Sequence, residues 1–337
     1  MMNLSIFSSK EVGSFIKNLT GFLVFSLAVI SILSFITKIT VIRTLKDNRY
    51  FVLPKDIDTL ILGDSYLMTG LIPEMRKGTL NGASRAEILA ITCKKIPFIC
   101  DYNPQIKNVV ISLSFVSITK ERQDALRNPK TIQYFGDKYF SLYDKQLKGL
   151  TFVWNAGYLT SWCKYTLGVP FEISKELANY LRIISSRQHY QNYPFWGGFQ
   201  AIHKISDDMD VEHRIGAHFE IGATEVEMSN ILIDDFRRLN KYCKERGIRL
   251  ITVNTPKLPE YEEMVPECYK VALMEIVEEM ENQNNNFYYL DYEGMELSQE
   301  YFHDADHLNY ETVQHHAAPF NNLRFIISII LHTFRFS

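Results

Sequence analysis

Four short apolar runs limit what this chain can fold into: "DTLILG" (58–63), "NVVISLS" (108–114), "IRLITVNTP" (248–256) and "NFYYLDY" (286–292). Each is strand-length and bounded by turn residues, and the first three are apolar without alternation, as in strands buried on both faces. Between them lie stretches with helical spacing. These are "SRAEILAITCKKIPFIC" (84–100), "MSNILIDDFRRLNKYCKERG" (228–247), closed by Gly247, and "CYKVALMEIVEEMENQ" (268–283). Strands alternating with helices imply an α/β fold with a parallel sheet covered on both faces. The 337 residues suffice for one large domain or two ordinary ones.

The N-terminus carries a separate signal. "GFLVFSLAVISILSFIT", Gly21 to Thr37, holds no charge and is bracketed by Lys17 and Lys38. As a helix it reaches about 26 Å, close to the hydrocarbon thickness of a bilayer. The chain continues as "KITVIRTLKDNRY" with no small-residue cleavage site, which favours an uncleaved signal anchor. We therefore expect residues 1–45 to form a tail and transmembrane anchor, and 46–337 the main domain. Lys38, Arg43, Lys46 and Arg49 after the span outnumber Lys10 and Lys17 before it. By charge count alone the body would stay in the cytoplasm, but long domains translocate largely regardless of such a bias.

Residues 120–225 break the strand–helix rhythm. They are rich in aromatics, as in "YFGDKYFSLY", "FVWNAGYLTSWCKY" and "YQNYPFWGGF", and read as a helical, irregular insertion. "YPFWGGF" (193–199) suits either stacking on sugar rings or filling a core. The tail "LRFIISIILHTFRFS" has too short an uncharged run to span a bilayer, and reads as a core or interfacial helix. A net charge of −3 gives no footprint for nucleic acid, and "KERGIR" (244–249) reads as a solvated helix end. Five scattered cysteines, with no C-x-x-C pair, match neither a disulfide framework nor a zinc site; buried thiols are expected, with a Cys93–Cys100 bridge as the alternative.

The chemistry gathers in two distant segments, "ILGDSYLMTG" (61–70) and "YFHDADHLN" (301–309). Ligands of open parallel sheets bind beyond the carboxyl ends of the strands, and Ser65 lies just past the first. A serine hydroxyl attacks only when a base takes its proton. His307 is the candidate base, and Asp304, three residues earlier, is placed to orient it; Asp306 is the alternative orienter. Asp64 reads as a turn residue. His303 and His307 have a spacing that suits metal binding, but no third ligand stands out and none is expected. His203, His213 and His218 read as surface or loop histidines.

Here the chain resembles the SGNH (GDSL-type) hydrolase superfamily, and within it the membrane-anchored bacterial members linked to cell-surface polysaccharide acylation. "LGDSYLMTG" matches the first block and "FHDADHLN" the last. "ITVNTPKLPEY" (251–261) and the run from "YYLDYEGMELSQEYF" through "HHAAPF" (288–320) resemble the subgroup. The likeness covers about 58–118 and 228–320. It implies a three-layer α/β/α, flavodoxin-like fold, Ser65 as nucleophile, and Asp304 with His307 as its partners. "LNGASR" is the counterpart of the second block, so Gly82 is the expected oxyanion donor beside the Ser65 amide, with Asn81 next to it. The third block normally supplies an asparagine. Here "VVISLSFVSI" has none, leaving Ser114 or Asn81 as substitutes and reduced activity as the expectation.

What the resemblance implies is a serine esterase or O-acyltransferase without a cofactor, acting on cell-surface polysaccharide or another acylated glycan. It would sit in the inner membrane as a single-pass protein with a periplasmic main domain, served by a membrane-embedded acyl donor protein. The alternative is a member that kept the fold and lost turnover, serving as a scaffold or glycan-binding module.

Overall fold

The computed structural model describes residues 9–45, 51–128 (except 72, 74, 75 and 127), 195–202, 210–219 and 223–309 (except 296). The chain divides into two units, one beginning with the N-terminal segment and the other holding the sheet. In the first, helix α1 runs from Ser9 to Leu45, 37 residues and so about 56 Å long. Its Lys10–Val29 stretch has a mean hydropathy of 1.6 and is long and apolar enough to cross a membrane, a test that a signal sequence also passes. The helix begins well before the uncharged run, since nothing in "SKEVGSFIKNLT" breaks a helix except one glycine.

The second unit is built on a five-stranded, all-parallel sheet. Its strands are β1 (Thr59–Leu62), β2 (Thr79–Asn81), β3 (Asn108–Ser112), β4 (Arg249–Asn254) and β5 (Phe287–Asp291), in the order β2-β1-β3-β4-β5. Every residue of β1 and β3 is buried, which accounts for their unbroken apolar character. Four strands coincide with the four apolar runs. The fifth, β2, has only three residues, too few to show a period.

The other helices follow the strands: α2 (Ser65–Gly70), α3 (Leu89–Tyr102), α4 (Lys120–Ala125), α5 (Val211–His218), α6 (Asn230–Arg246), α7 (Pro259–Met264) and α8 (Glu267–Gln283). α3, α6 and α8 form a continuous layer. Lys94 reaches Asp235 at 2.7 Å and Arg246 reaches Asp101 at 2.6 Å, joining α3 to α6. Arg237 reaches Glu279 at 2.6 Å, and the Asn240 amide donates to the Met280 carbonyl, joining α6 to α8. Gly247 ends α6 in the left-handed conformation, φ 64°, where an L side chain is strained. α3 starts five residues later than its pattern suggested, because 84–88 form a turn with Ala86 at positive φ. α7 begins inside "ITVNTPKLPEY", with Pro259 in the first turn, where its missing N–H costs nothing.

A buried ion pair holds the turn after β2. Lys95 Nζ lies 3.3 Å from Glu87 and donates to the Gly82 carbonyl at 3.0 Å, both side chains being fully buried. Beside it, Phe195 and Trp196 pack into the core, so the core-filling reading of "YPFWGGF" fits those two rings and their faces are not open to a sugar. Gly197 passes so close to the Ala83 carbonyl that a Cβ would sit 1.7 Å from it. Cys93, Cys100 and Cys243 are buried free thiols, and Cys268 is a half-buried one; the Cys93–Cys100 bridge is therefore not formed.

The sheet domain gives up the chain and takes it back at one spot. Thr119 and Met228 form an antiparallel bridge; Lys120 N donates to the Glu227 carbonyl, and Ser229 N to that of Ile118. The expected insertion begins and ends there. Most of it, with Cys163, His203 and the aromatic stretches before residue 195, lies outside the described residues. So do His315, His316 and the apolar C-terminal tail.

Candidate functional site

The strand order reverses direction between β1 and β3, and such a switch opens a crevice at the carboxyl ends of the strands. β1 ends there at Gly63, whose φ of 121° belongs to glycine; a Cβ would sit 2.4 Å from Ser112 Oγ at the end of β3. The close approach lets Ser112 Oγ accept the Asp64 amide at 3.1 Å. The Asp64 side chain then caps α2 by accepting the Tyr66 amide at 3.1 Å. Ser65, the first residue of α2, is thereby fixed at the mouth of the sheet. Burial raises the Asp64 carboxyl above its ordinary range, as expected of a turn-forming side chain removed from water.

His307 arrives on a compact loop. Asp304 Oδ1 accepts the amides of Asp306 and His307 at 3.1 and 2.8 Å, His303 N donates to the His307 carbonyl, and Leu258 N donates to that of Ala305. The loop delivers His307 Nε2 to within 2.8 Å of Ser65 Oγ. On the other side of the ring, Nδ1 lies 2.9 and 3.1 Å from the two oxygens of Asp304. A proton on Nδ1 shared with carboxylate leaves Nε2 to accept from the serine hydroxyl. Such a chain can withdraw a proton from Ser65 as its oxygen attacks an electrophile.

Asp306 also reaches Nδ1, at 3.0 Å, from the fully buried side. Tyr66 donates its hydroxyl to Asp306 Oδ2 at 2.8 Å, and its ring stacks on His307 with centroids 5.1 Å apart. From α5, Arg214 donates through Nε to Asp306 Oδ1 at 2.9 Å, and its Nη2 lies 3.3 Å from His307 Nδ1. His218 on the same helix pairs through Nδ1 with the Tyr261 hydroxyl at 2.7 Å; it belongs to this network, not to the surface. His213 is exposed, as expected. Under Tyr66, the buried Lys257 donates to Asn254 Oδ1 and the Thr255 carbonyl, 5.4 Å from the tyrosine ring centre.

These neighbours set the protonation of the centre. Burial alone would lower the His307 pKa, but its hydrogen bonds to Asp304 and Asp306 and their charges outweigh burial and raise it to about 9. Burial would raise Asp306; the His307 bond and the charges of His307, Arg214 and His218 instead hold it far below the carboxylate range. Burial pushes His218 down to about 4. Asp304, Asp306 and His307 also offer donor atoms within 4.8 Å of one another, as a metal site would. The Arg214 guanidinium already brings a cation to this cluster.

The expected oxyanion donors are placed differently from one another. The Ser65 amide has no acceptor among the described residues. The Gly82 amide donates to the Ile61 carbonyl at 2.8 Å, continuing the β1–β2 ladder, and is spent. Asn81 uses its side-chain amide on the carbonyls of Leu67 and Leu71 while its oxygen accepts the Ala83 amide, so it braces α2 instead of facing the crevice. Ser114 donates its amide to the Ser117 hydroxyl, and the two hydroxyls share a hydrogen bond at 3.1 Å. Tyr66 and Arg214 were missed in the sequence. Tyr66 follows the serine in the matched block without being part of a motif, and "VEHRIGAH" lies in a segment with no pattern at all.

No protein-family model matches the chain, and no curated protein matches it.

Proposed function

We propose that the protein is a serine-dependent esterase or O-acyltransferase acting on cell-surface carbohydrate through an acyl-enzyme on Ser65. The observation that carries this reading is the 2.8 Å contact between Ser65 Oγ and His307 Nε2, with carboxylate on the opposite ring nitrogen. Ser65 Oγ attacks an ester carbonyl as its proton passes to His307 Nε2. The tetrahedral intermediate expels the alcohol, which takes that proton, and leaves an acyl ester on Ser65. His307 then deprotonates water or a sugar hydroxyl, which attacks the acyl carbon and returns the proton to the departing Ser65 oxygen.

The strand order suits a three-layer, flavodoxin-like arrangement of the SGNH kind. With α1 as the anchor, the reading extends to a single-pass inner-membrane protein with a periplasmic domain, working on an acylated polysaccharide with a membrane-embedded acyl donor. The test is labelling of the full-length chain in detergent by a fluorophosphonate, which phosphonylates activated serines, alongside release of acetate from an acetylated glycan. Both activities are expected in the native chain and absent in Ser65→Ala. A Ser65→Ala protein that labels and hydrolyses like the native one removes the nucleophile from the reading.

A second reading, a non-catalytic glycan-binding module or scaffold, is favoured by one observation: the amides of Gly82 and Asn81 are already engaged, leaving the Ser65 amide alone for an oxyanion. A chain that binds glycan and never labels at Ser65 is that module.

A further inference from the structure

The loop carrying His307 brings two carboxylates to one nitrogen, and their surroundings assign them different work. One N–H serves a single acceptor well. Asp304 Oδ1, besides its contact with Nδ1, holds the backbone amides of Asp306 and His307, so this residue shapes the turn; its side chain is 22% exposed. Asp306 is fully buried, and its partners beyond His307 come from other elements: the Tyr66 hydroxyl on α2 and Arg214 Nε on α5. A carboxylate buried this deeply is tolerated only when paired and hydrogen-bonded. The planar guanidinium of Arg214, whose side chain is 35% exposed, spans Asp306 and the His307 ring together.

We infer that Asp306, clamped by Tyr66 and Arg214, is a positioning carboxylate for the His307 ring, and that Arg214 makes α5 a working part of the site. The inference rests on the esterase reading, since it assigns roles around its base. Asp306 favours the imidazolium, while Arg214, a cation 3.3 Å from Nδ1, opposes it. Removing one or the other therefore moves the titration of His307 in opposite directions. The remaining charged and titratable groups around the centre stay constant in that comparison. They are Asp304 on the same loop, Asp64 and Tyr66 at the start of α2, His218 on α5, Arg122 on α4, Tyr261 on α7 and the buried Lys257.

The experiment measures the rate of fluorophosphonate labelling of the full-length chain in detergent between pH 5 and 10. The variants are Asp306→Asn, Asp304→Asn, Arg214→Gln, Arg214→Lys and Ser65→Ala, each checked for folding by circular dichroism. Asp306→Asn should slow labelling about tenfold or more and move the pH midpoint down. Arg214→Gln should move it up, and Arg214→Lys, which keeps the charge and loses the fork, should fall between Arg214→Gln and native. Because Arg214 is partly exposed, its variants keep the question open to refutation even if Asp306→Asn does not fold. Midpoints for Arg214→Gln and Arg214→Lys that coincide with the native one overturn the inference. So does a folded Asp306→Asn that behaves as native. Labelling that persists in Ser65→Ala sinks the nucleophile instead, and is read separately.

Discussion

Ser65 Oγ and His307 Nε2 lie 2.8 Å apart although 242 positions separate them in sequence. The serine stands on the first turn after β1, and the histidine on a loop that follows β5 and returns to the middle of the sheet. Replacing His307 by Gln should therefore remove the proton acceptor while leaving α2 in place. Ester hydrolysis by the full chain is expected to fall on the order of 10⁴-fold. A fall of less than tenfold in a kinetic assay would show that another base serves Ser65.

The raised pKa of His307 sets the pH dependence. With a folded value of about 9 against an ordinary 6.5, the ring is mostly protonated at neutral pH and cannot accept from Ser65. Activity should climb with pH and level off above about 9. The same shift acts on stability with the opposite sign: its contribution is full below pH 6.5 and is lost as pH rises through about 9. Asp306, held low, contributes above its ordinary value of 3.8 and loses that contribution as pH falls below it. Rate profiles and thermal unfolding over pH 5–10, compared with His307→Gln, check the histidine effects; unfolding extended below pH 4 checks Asp306.

Gly63→Ala should damage stability and activity together. The new Cβ meets Ser112 Oγ at 2.4 Å and the residue must hold φ at 121°. The backbone strain alone costs about 1–3 kcal/mol. Combining it with Ser112→Ala removes the Oγ contact but leaves the Ser112 backbone nitrogen 3.0 Å from the new Cβ and the strain in φ, so chemical denaturation should show only partial recovery.

Much of this arrangement was legible beforehand, for physical reasons. β1, β3 and β4 announce themselves because strands buried on both faces need apolar residues throughout, and Gly247 announces the end of α6 because only glycine sits easily there. Ser65, Asp304 and His307 stand out because a hydroxyl, a carboxylate and an imidazole are what such chemistry would require, and the fold brings the three together. What stayed hidden depends on tertiary approach. Gly82 resembles an oxyanion donor in sequence, yet its amide completes the β2 ladder, and Asn81 is spent on the carbonyls of Leu67 in α2 and of Leu71 just past it. Arg214 carries no local signal, since its meaning comes from a carboxylate 92 positions away.

Asn81→Ala tests that correction. It leaves the Leu71 carbonyl and the Ala83 amide without this partner, while the Leu67 carbonyl keeps the Leu71 amide, and should cost about 1–3 kcal/mol per group left unsatisfied in the core. Denaturant unfolding measures the loss. An oxyanion role would instead lower kcat on the order of 10²-fold with stability untouched.

The buried Lys95–Glu87 pair makes a similar demand on the turn after β2. Lys95→Met alone strands a carboxylate in the core and should destabilise by about 3–5 kcal/mol, whereas Lys95→Met with Glu87→Leu should recover most of it. Equal unfolding free energies for the single and double variants would mean the pair is not coupled.

The bridge between Thr119 and Met228 closes an excursion of the chain that returns to the sheet domain through Phe195 and Trp196 in the core and through α5 at the site. Lys120 and Glu227 are 107 positions apart in sequence, yet their side chains close an ion pair at 2.7 Å. The pairing of the strands and the contacts among α3, α6 and α8 do not run through the excursion, although Phe195 from it packs against Phe98 of α3. Such a seam is a place where a lineage can lengthen or trim an accessory segment, provided the stretch around Phe195 still fills the core. Because α5 lies inside that excursion, a change reaching it would also bring a new neighbour to the histidine, so that a change of architecture becomes a change of chemistry.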